Sequence, residues 1–344
     1  MSQDLTRPTT AAVLSPTTRD LIKLSMRANT RRAYATQLRQ WEAWCEQTGL
    51  AAIPADPAAV ANYLGERGTA GQSVSTLRTV VAAIKAGHDA VNLTRPEDEQ
   101  HHFDTKDPRI VKTLRGLSNA APRLPKQAEP IRAAEVLELL QAADASPIGR
   151  RDAALFALGY VFALRRSELV TLDLEKQGTG EGVLRITAKT IEVTFAKSKT
   201  SSGKPQSVAV PRAENADAVK AIEAWMALAG IEPGEPVLRR IAKGGEIGGR
   251  LHPQSVAKIV KARIAAQHER CGVSASKAHE DAARYSGHSL RVGFAVTAAE
   301  GGADIRSIAS VTRHRSLAMP ARYAEKADQI RTSPHRLPGV GLKA

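Results

Sequence analysis

The chain has 344 residues, 42% of them hydrophobic, a formal charge of +14 and a pI near 10.0. That length allows two domains, and that apolar content excludes wholesale disorder. The basic excess is +4 over residues 1–130 and +10 over the rest, so it is no detachable tail and suits a densely negative partner, nucleic acid first.

Aromatic residues make up only 4%, which favours closely packed helices. Cys45 and Cys271 have neither metal-ligand spacing nor the makings of a disulfide framework, which fits a reducing cytoplasm. The opening MSQDLTRPTT has no apolar signal core, and no run is long enough to span a bilayer, so no membrane association is expected.

Residues 1–16, with Pro8 and Pro16, read as a flexible N-terminus. A first helix starts at Thr17, with Leu21, Ile22, Leu24 and Met26. Asn29-Thr30 offers a cap for a second, on which Tyr34, Leu38, Trp41 and Cys45 form one apolar stripe ended by Gly49. Arg31 and Arg32 fall off that stripe and are candidates for DNA contact. Asp56-Pro57 opens a third helix with Val60, Tyr63 and Leu64, after which Gly68 and Gly71 break the chain. Ser73 caps a fourth, with Val74, Leu77, Val81, Ile84 and His88 inward, His88 as a core histidine. Its other face carries Ser75, Thr76, Arg78 and Lys85; such a face either contacts phosphates and base edges or is simply solvated. A last helix, Pro108 to Leu117, turns Ile110, Val111 and Leu114 inward, which makes residues 17–118 a helical bundle.

NAAPRLPKQAEP, residues 119–130, is proline-rich and reads as a linker; its Lys126 is a further candidate DNA contact. Beyond it the helical stretches are Ala133–Ala143, Gly149–Leu164, Ala216–Ala229, Pro253–His268, Ser289–Glu300 and Asp304–Val311. β-Branched alternation over Gly182–Phe195 and Ser207–Val210 predicts a small antiparallel sheet with the basic tip KSKTSSGKPQ. The fold class is therefore mainly α: a helical bundle, then a mostly helical domain over 131–335 with one small sheet, and a tail at 336–344.

HExxH, paired CxxC, clustered carboxylates, a phosphate-binding loop and a Gly-x-Ser-x-Gly elbow are all missing from the sequence. Phosphodiester chemistry here would need arginine clamps, a general acid, a base and a side-chain nucleophile instead. FALRRSELVTLDL (162–174), SKTSSGKPQSVAVP on the hairpin, GHSLR (287–291), His314 and Tyr323 occur in an order that resembles the tyrosine recombinases, the phage and plasmid integrases with their Cre-like branch. NTRRAYATQLRQWEAWC and STLRTVVAAIKAGH resemble the family's core-binding, SAM-like helices.

The resemblance implies catalytic Arg165, Lys199, His288, Arg291, His314 and Tyr323, with Glu168 supporting them; Lys197 and Lys204 compete with Lys199. Arg313 and Arg315, and Arg322 near them, are expected to touch the DNA backbone. It further implies a cofactor- and metal-free enzyme that cleaves and rejoins DNA through a 3′-phosphotyrosyl intermediate. Such an enzyme acts as a homotetramer on double-stranded DNA with inverted-repeat sites, in the cytoplasm with the nucleoid. Residues 324–344, past the nucleophile, are expected to form a short helix and tail that pack on a neighbour. Two alternatives stand: a type IB-like topoisomerase, which shares the constellation, and a DNA-binding regulator without catalysis.

Overall fold

A computed structural model describes residues 15–120, 128–175, 182–196, 205–314 and 316–331. The chain divides into two compact units, Met1–Lys126 and Gln127–Ala344.

The first unit contains α1 (Pro16–Ser25), α2 (Ala28–Thr48), α3 (Pro57–Thr69), α4 (Val74–Asn92) and α5 (Pro108–Ala120). Most starts and stops follow local chemistry. The Asp56 carboxylate accepts from the Ala58 and Ala59 amides, Ser73 Oγ accepts from Thr76 N, and Gly49 leaves α2 at φ +71°. The core joins Trp41 and Cys45 of α2 to Val60, Tyr63 and Leu64 of α3 and to Leu77 and Ile84 of α4. His88 is a core histidine: Nδ1 faces the Ile84 carbonyl at 3.0 Å and Nε2 accepts from Ala55 N at 3.0 Å.

Several expectations for this unit need correction. Helix α2 begins at Ala28, with Arg27 in the N-cap position, so Asn29 and Thr30 lie inside it. Val111 of α5, expected to turn inward, is exposed, as are Leu21 and Leu24 of α1. Gly68 lies within α3, where a Cβ would meet the Leu117 side chain at 2.5 Å; it permits close approach of α5.

The second unit runs α6 (Ala133–Gln141), α7 (Pro147–Val161), α8 (Arg166–Thr171), β1 (Leu172–Leu174), β2 (Gly182–Ile186), β3 (Thr190–Phe195), β4 (Gln206–Pro211) and α9 (Ala216–Leu228). Then follow β5 (Arg239–Ile241), β6 (Ile247–Arg250), α10 (Pro253–Arg270), α11 (Ala275–Ala282), α12 (Ser289–Glu300), α13 (Ile305–Thr312) and α14 (Ala318–Arg331). The sheet has the order β1-β2-β3-β4. It is antiparallel except that β1 runs parallel to β2, a pairing that depends on α8 delivering β1 to the edge rather than on alternation in the strand itself. The β5–β6 hairpin and α11 are too short to show a clear period in the sequence.

Helix α7 is buried along nearly its whole length, and the core around it draws in α6, α9, α10, the sheet and Leu290 of α12. Helix α12 comes close because Gly293 has no side chain. A Cβ there would sit 1.7 Å from the Ile131 carbonyl oxygen, and Ile131 N already donates to Ser289 O at 3.1 Å. Gly293→Ala is expected to lower stability by about 3 kcal/mol. Urea unfolding reads this, and a wild-type midpoint would refute the contact.

Candidate active site

Helix α7 stops at Val161, and Ala163 takes φ +45°. A left-handed alanine is strained. Among the described residues, only Ala163 and Arg313 have positive φ without being glycine, and both feed this site. The turn aims the Ala163 carbonyl at Arg291, whose Nη1 donates to it at 2.8 Å. It also puts Arg165 just ahead of α8, where its backbone N–H donates to the Glu168 carboxylate at 2.9 Å.

Glu168 is a hub. It accepts from Arg165 Nη1 at 2.6 Å and from Arg313 Nη2 at 2.8 Å. Burial works to raise its pKa, but Arg313 and the Arg165 amide and guanidinium outweigh that and hold it below the ordinary carboxylate value. Arg165 also donates through Nη2 to the Arg313 carbonyl at 3.1 Å, so the segments around 165 and 313 lock together.

The expected role of Arg313 as a contact to the DNA backbone is corrected here. The residue is 4% exposed. Nη1 donates to the carbonyls of Phe162 and Val311 at 3.2 and 3.0 Å, and the guanidinium lies 5.2 Å from the Phe195 ring centroid on β3. A cation so enclosed braces the site from behind. Flanked by His314 and Arg315, it reads in the sequence as part of a basic surface cluster; no local signal marks it as buried.

Arg291 lies on the first turn of α12, 1% exposed. Burial and the nearby charge of Arg165 push its pKa down to about 9. Its Nη2 meets His314 Nε2 at 3.1 Å, and its buried Nε has no hydrogen-bond partner among the described residues. Among the described residues none of its hydrogen bonds reaches a carboxylate, an unusual state for a buried cation. His314 follows α13, its Nδ1 2.7 Å from Thr312 Oγ1. Burial first, then Arg291 and Arg165, push its pKa down to about 4. His288 is the N-cap residue of α12. Its outer side reaches solvent, while protein crowding on the inner side, Arg291 and Arg165 hold its pKa well below the ordinary histidine value. Both rings are therefore neutral at pH 7.

Tyr323 sits inside α14, half-buried against the patch formed by Ala295, Ala299 and Ile308. The helix thus starts before the tyrosine rather than after it. Burial raises the phenol pKa, with Arg291 and Arg322 working against the rise. Strands β3 and β4 form the expected hairpin, with Phe195 opposite Gln206. Lys197, Lys199 and Lys204 at its tip, together with Lys126 and Arg315, lie outside the described residues. In the first unit Arg31 and Arg32 are exposed at the start of α2, and Ser75 and Arg78 are exposed on the solvent face of α4. Thr76 is half-buried, its hydroxyl 2.9 Å from Ser73 Oγ, and exposed Lys85 pairs with Asp89 at 2.8 Å.

The two depressed histidines make stability depend on pH. Their folded pKa values lie below the unfolded value near 6.5, so the unfolded chain binds more protons between them. The contribution is full above pH 6.5 and is lost as pH falls toward about 4. Thermal denaturation should show a falling midpoint across that window, and His314→Gln should make the fall shallower, with His288 still contributing. An equally steep fall in that variant would assign the dependence to other groups.

Residues 129–329 match the phage integrase family, and residues 19–90 match the phage integrase N-terminal SAM-like domain. An integrase/recombinase XerD homolog of Selenomonas ruminantium is 30% identical over 305 residues, 87% of this chain and 82% of its own. Tyrosine recombinase XerC of Myxococcus xanthus is 28% identical over 321 residues, 89% and 91% of the two chains. The recombinase Cre of Escherichia phage P1 is 23% identical over 275 residues, 78% and 76%. In fold the chain is similar to XerH site-specific recombinase bound to difH substrate, with a TM-score of 0.56 at 14% identity over 88% of this chain and 79% of that one. The Tn1549 transposon integrase in complex with transposon right end DNA gives 0.55 at 14% identity over 92% and 98%. Among the described residues no helix is long and apolar enough to cross a membrane. Family match, relatives along most of the length and shared fold together place this chain in the phage integrase family, as a tyrosine-type site-specific recombinase whose partner is DNA.

Proposed function

We propose that Arg165 and Arg291 clamp the scissile phosphate and that His314 adds a hydrogen bond to it. Tyr323 Oη attacks phosphorus, giving up its proton to His288, which is neutral and so able to accept it. The bond from phosphorus to the 5′ oxygen breaks, Lys199 protonates that oxygen, and a 3′-phosphotyrosyl link remains. The 5′-hydroxyl of a partner strand reverses the step. The phosphotyrosine conserves the bond energy, so neither ATP nor a metal is required. Glu168 holds Arg165 in place. Arg31, Arg32, Ser75, Arg78 and Lys85 face the DNA from the first unit, and Lys126 and Arg315 add further backbone contacts. The enzyme acts as a homotetramer on inverted-repeat sites, associated with DNA in the cytoplasm.

One observation supports this reading above the others: among the described residues, the buried cation Arg291 has no carboxylate hydrogen-bond partner and no partner for Nε. A phosphate would supply the missing acceptor. The test uses a duplex selected by the protein from a random-sequence pool, nicked so that the cleaved end is trapped. A recombinase gives a covalent adduct and strand-exchanged products. Relaxation of supercoils without site preference would mean a topoisomerase, and a mobility shift without adduct a regulator.

On the same substrate Lys199→Ala should cleave about 10²–10⁴-fold more slowly, as loss of a general acid implies, with binding unchanged. A 5′-phosphorothiolate, whose sulfur leaves without a proton, should restore cleavage. Failure of that rescue would move the acid to Lys197 or Lys204.

A further inference from the structure

Thr312, the last residue of α13, is fully buried. Its Oγ1 lies 2.6 Å from the Ile308 carbonyl and 2.7 Å from His314 Nδ1, while His314 Nε2 lies 3.1 Å from Arg291 Nη2. One proton assignment satisfies all three contacts of a neutral ring. A guanidinium has only donors, so Nε2 must present its lone pair. The ring proton then sits on Nδ1 and is donated to Thr312 Oγ1, whose own proton goes to Ile308 O. A valine would fill the same buried space, so the hydroxyl adds something that packing does not require.

That assignment conflicts with the role proposed for His314, because a phosphate oxygen accepts hydrogen bonds and a lone pair on Nε2 cannot donate one. We propose that Thr312 is a positioning residue whose hydroxyl serves both tautomers of His314 in turn, accepting from Nδ1 in one and donating to it in the other. Without DNA it holds the ring as an acceptor for Arg291. When Arg291 turns Nη2 to the phosphate, the Thr312 hydroxyl swings its proton from Ile308 O to Nδ1, and Nε2 carries the ring proton toward the phosphate. The ring keeps one proton throughout: it loses the one on Nδ1 and gains one on Nε2 by exchange with water, and the threonine keeps its own. Ile308 O gives up one hydrogen bond. The inference rests on the phosphate contact proposed for His314.

The charged and titratable groups around the ring favour a change of tautomer over protonation. Arg291 and His288 come from α12, Arg165 and Glu168 from the α8 segment, Arg313 precedes the ring, and Tyr323 of α14 lies beside Arg291. Glu168 is the one acid in that group, and its oxygens are already bound by Arg165 and Arg313.

The test is nitrogen NMR of full-length protein with ¹⁵N-labelled histidine, using His314→Ala to assign the signal. At pH 7 the free protein should show the proton on Nδ1, and the complex with the selected nicked duplex should show it on Nε2. Thr312→Val, with Arg291 still facing Nε2, should keep Nδ1–H in the free protein, fail to shift cleanly to Nε2–H in the complex and form adduct about 10- to 100-fold more slowly, with binding unchanged. Thr312→Ser, which keeps the hydroxyl, should stay close to the wild-type rate. An Nε2–H tautomer in the free protein overturns the proposal, as does Thr312→Val cleaving at the wild-type rate. If Thr312→Val fails to fold, the wild-type tautomers and Thr312→Ser decide. A separate outcome, His314→Ala cleaving normally, would sink the phosphate role of His314 and not the free-state tautomer.

Discussion

Tyr323→Phe should bind its DNA site as the wild type does and form no covalent adduct, a loss of at least ~10⁴-fold, as when a catalytic nucleophile is removed. The substitution removes one oxygen. The ring that packs against Ala295, Ala299 and Ile308 stays, so α14 keeps its seat. Stability should therefore change by less than about 1 kcal/mol. The phenol is neutral at pH 7, as a tyrosine ordinarily is, burial raises its pKa further, and it needs a base as it attacks. A denaturing gel of protein incubated with the nicked duplex separates the outcomes. An adduct in the variant would assign the nucleophile to another side chain.

Arg313→Ala should be the most destabilising single substitution near the site, by about 3–5 kcal/mol, because it breaks a buried ion pair and leaves a partner behind. Glu168 would keep Arg165 but lose its second cation, and the carbonyls of Phe162 and Val311 would lose their donor. The contact with Phe195 on β3 would vanish too, loosening the strand that leads to the lysine-bearing tip. Arg313→Gly is the informative companion. Its backbone accepts φ near +51° without strain, so it isolates the guanidinium from the turn. Chemical denaturation should show both variants well below wild type, with glycine the less affected by about 1 kcal/mol. Adduct formation should fall with them, since Arg165 is held through Glu168 and the Arg313 carbonyl. A stable Arg313→Gly protein with normal cleavage would show the brace to be dispensable.

Both predictions concern residues that the sequence presents very differently. Tyr323, Arg291 and the hairpin stand in stretches that resemble the family, and the helices that carry them have strong local signals. Ser73, Asp56 and Asp304 cap helices through side-chain oxygens, and Gly49 ends one in the left-handed region. Such signals act over three or four residues and survive in the fold unchanged. The misread positions depend on distant partners. Gly68 looks like a breaker until Leu117 fills the space beside it. Strand β1 has three residues and pairs in parallel with β2 only because α8 brings it there. Arg313 looks like one more surface cation until Glu168, 145 residues earlier, is placed against it.

By itself the sequence determined the order of the longer helices, the β3–β4 hairpin, the basic character and the set of residue types for phosphoryl transfer. Those properties come from periodicity, capping and composition, which are local. Only the tertiary structure decided which cations are spent and which wait. Arg313 is closed off by Glu168 and two carbonyls, Arg165 is held in place by Glu168, and Arg291, buried with a histidine and a carbonyl for company, has no acid partner among the described residues. The physical reason is that a cation's role follows from the acceptors within about 3 Å of it. Here those acceptors are set by the strained turns at Ala163 and Arg313, which bring together segments far apart in the chain.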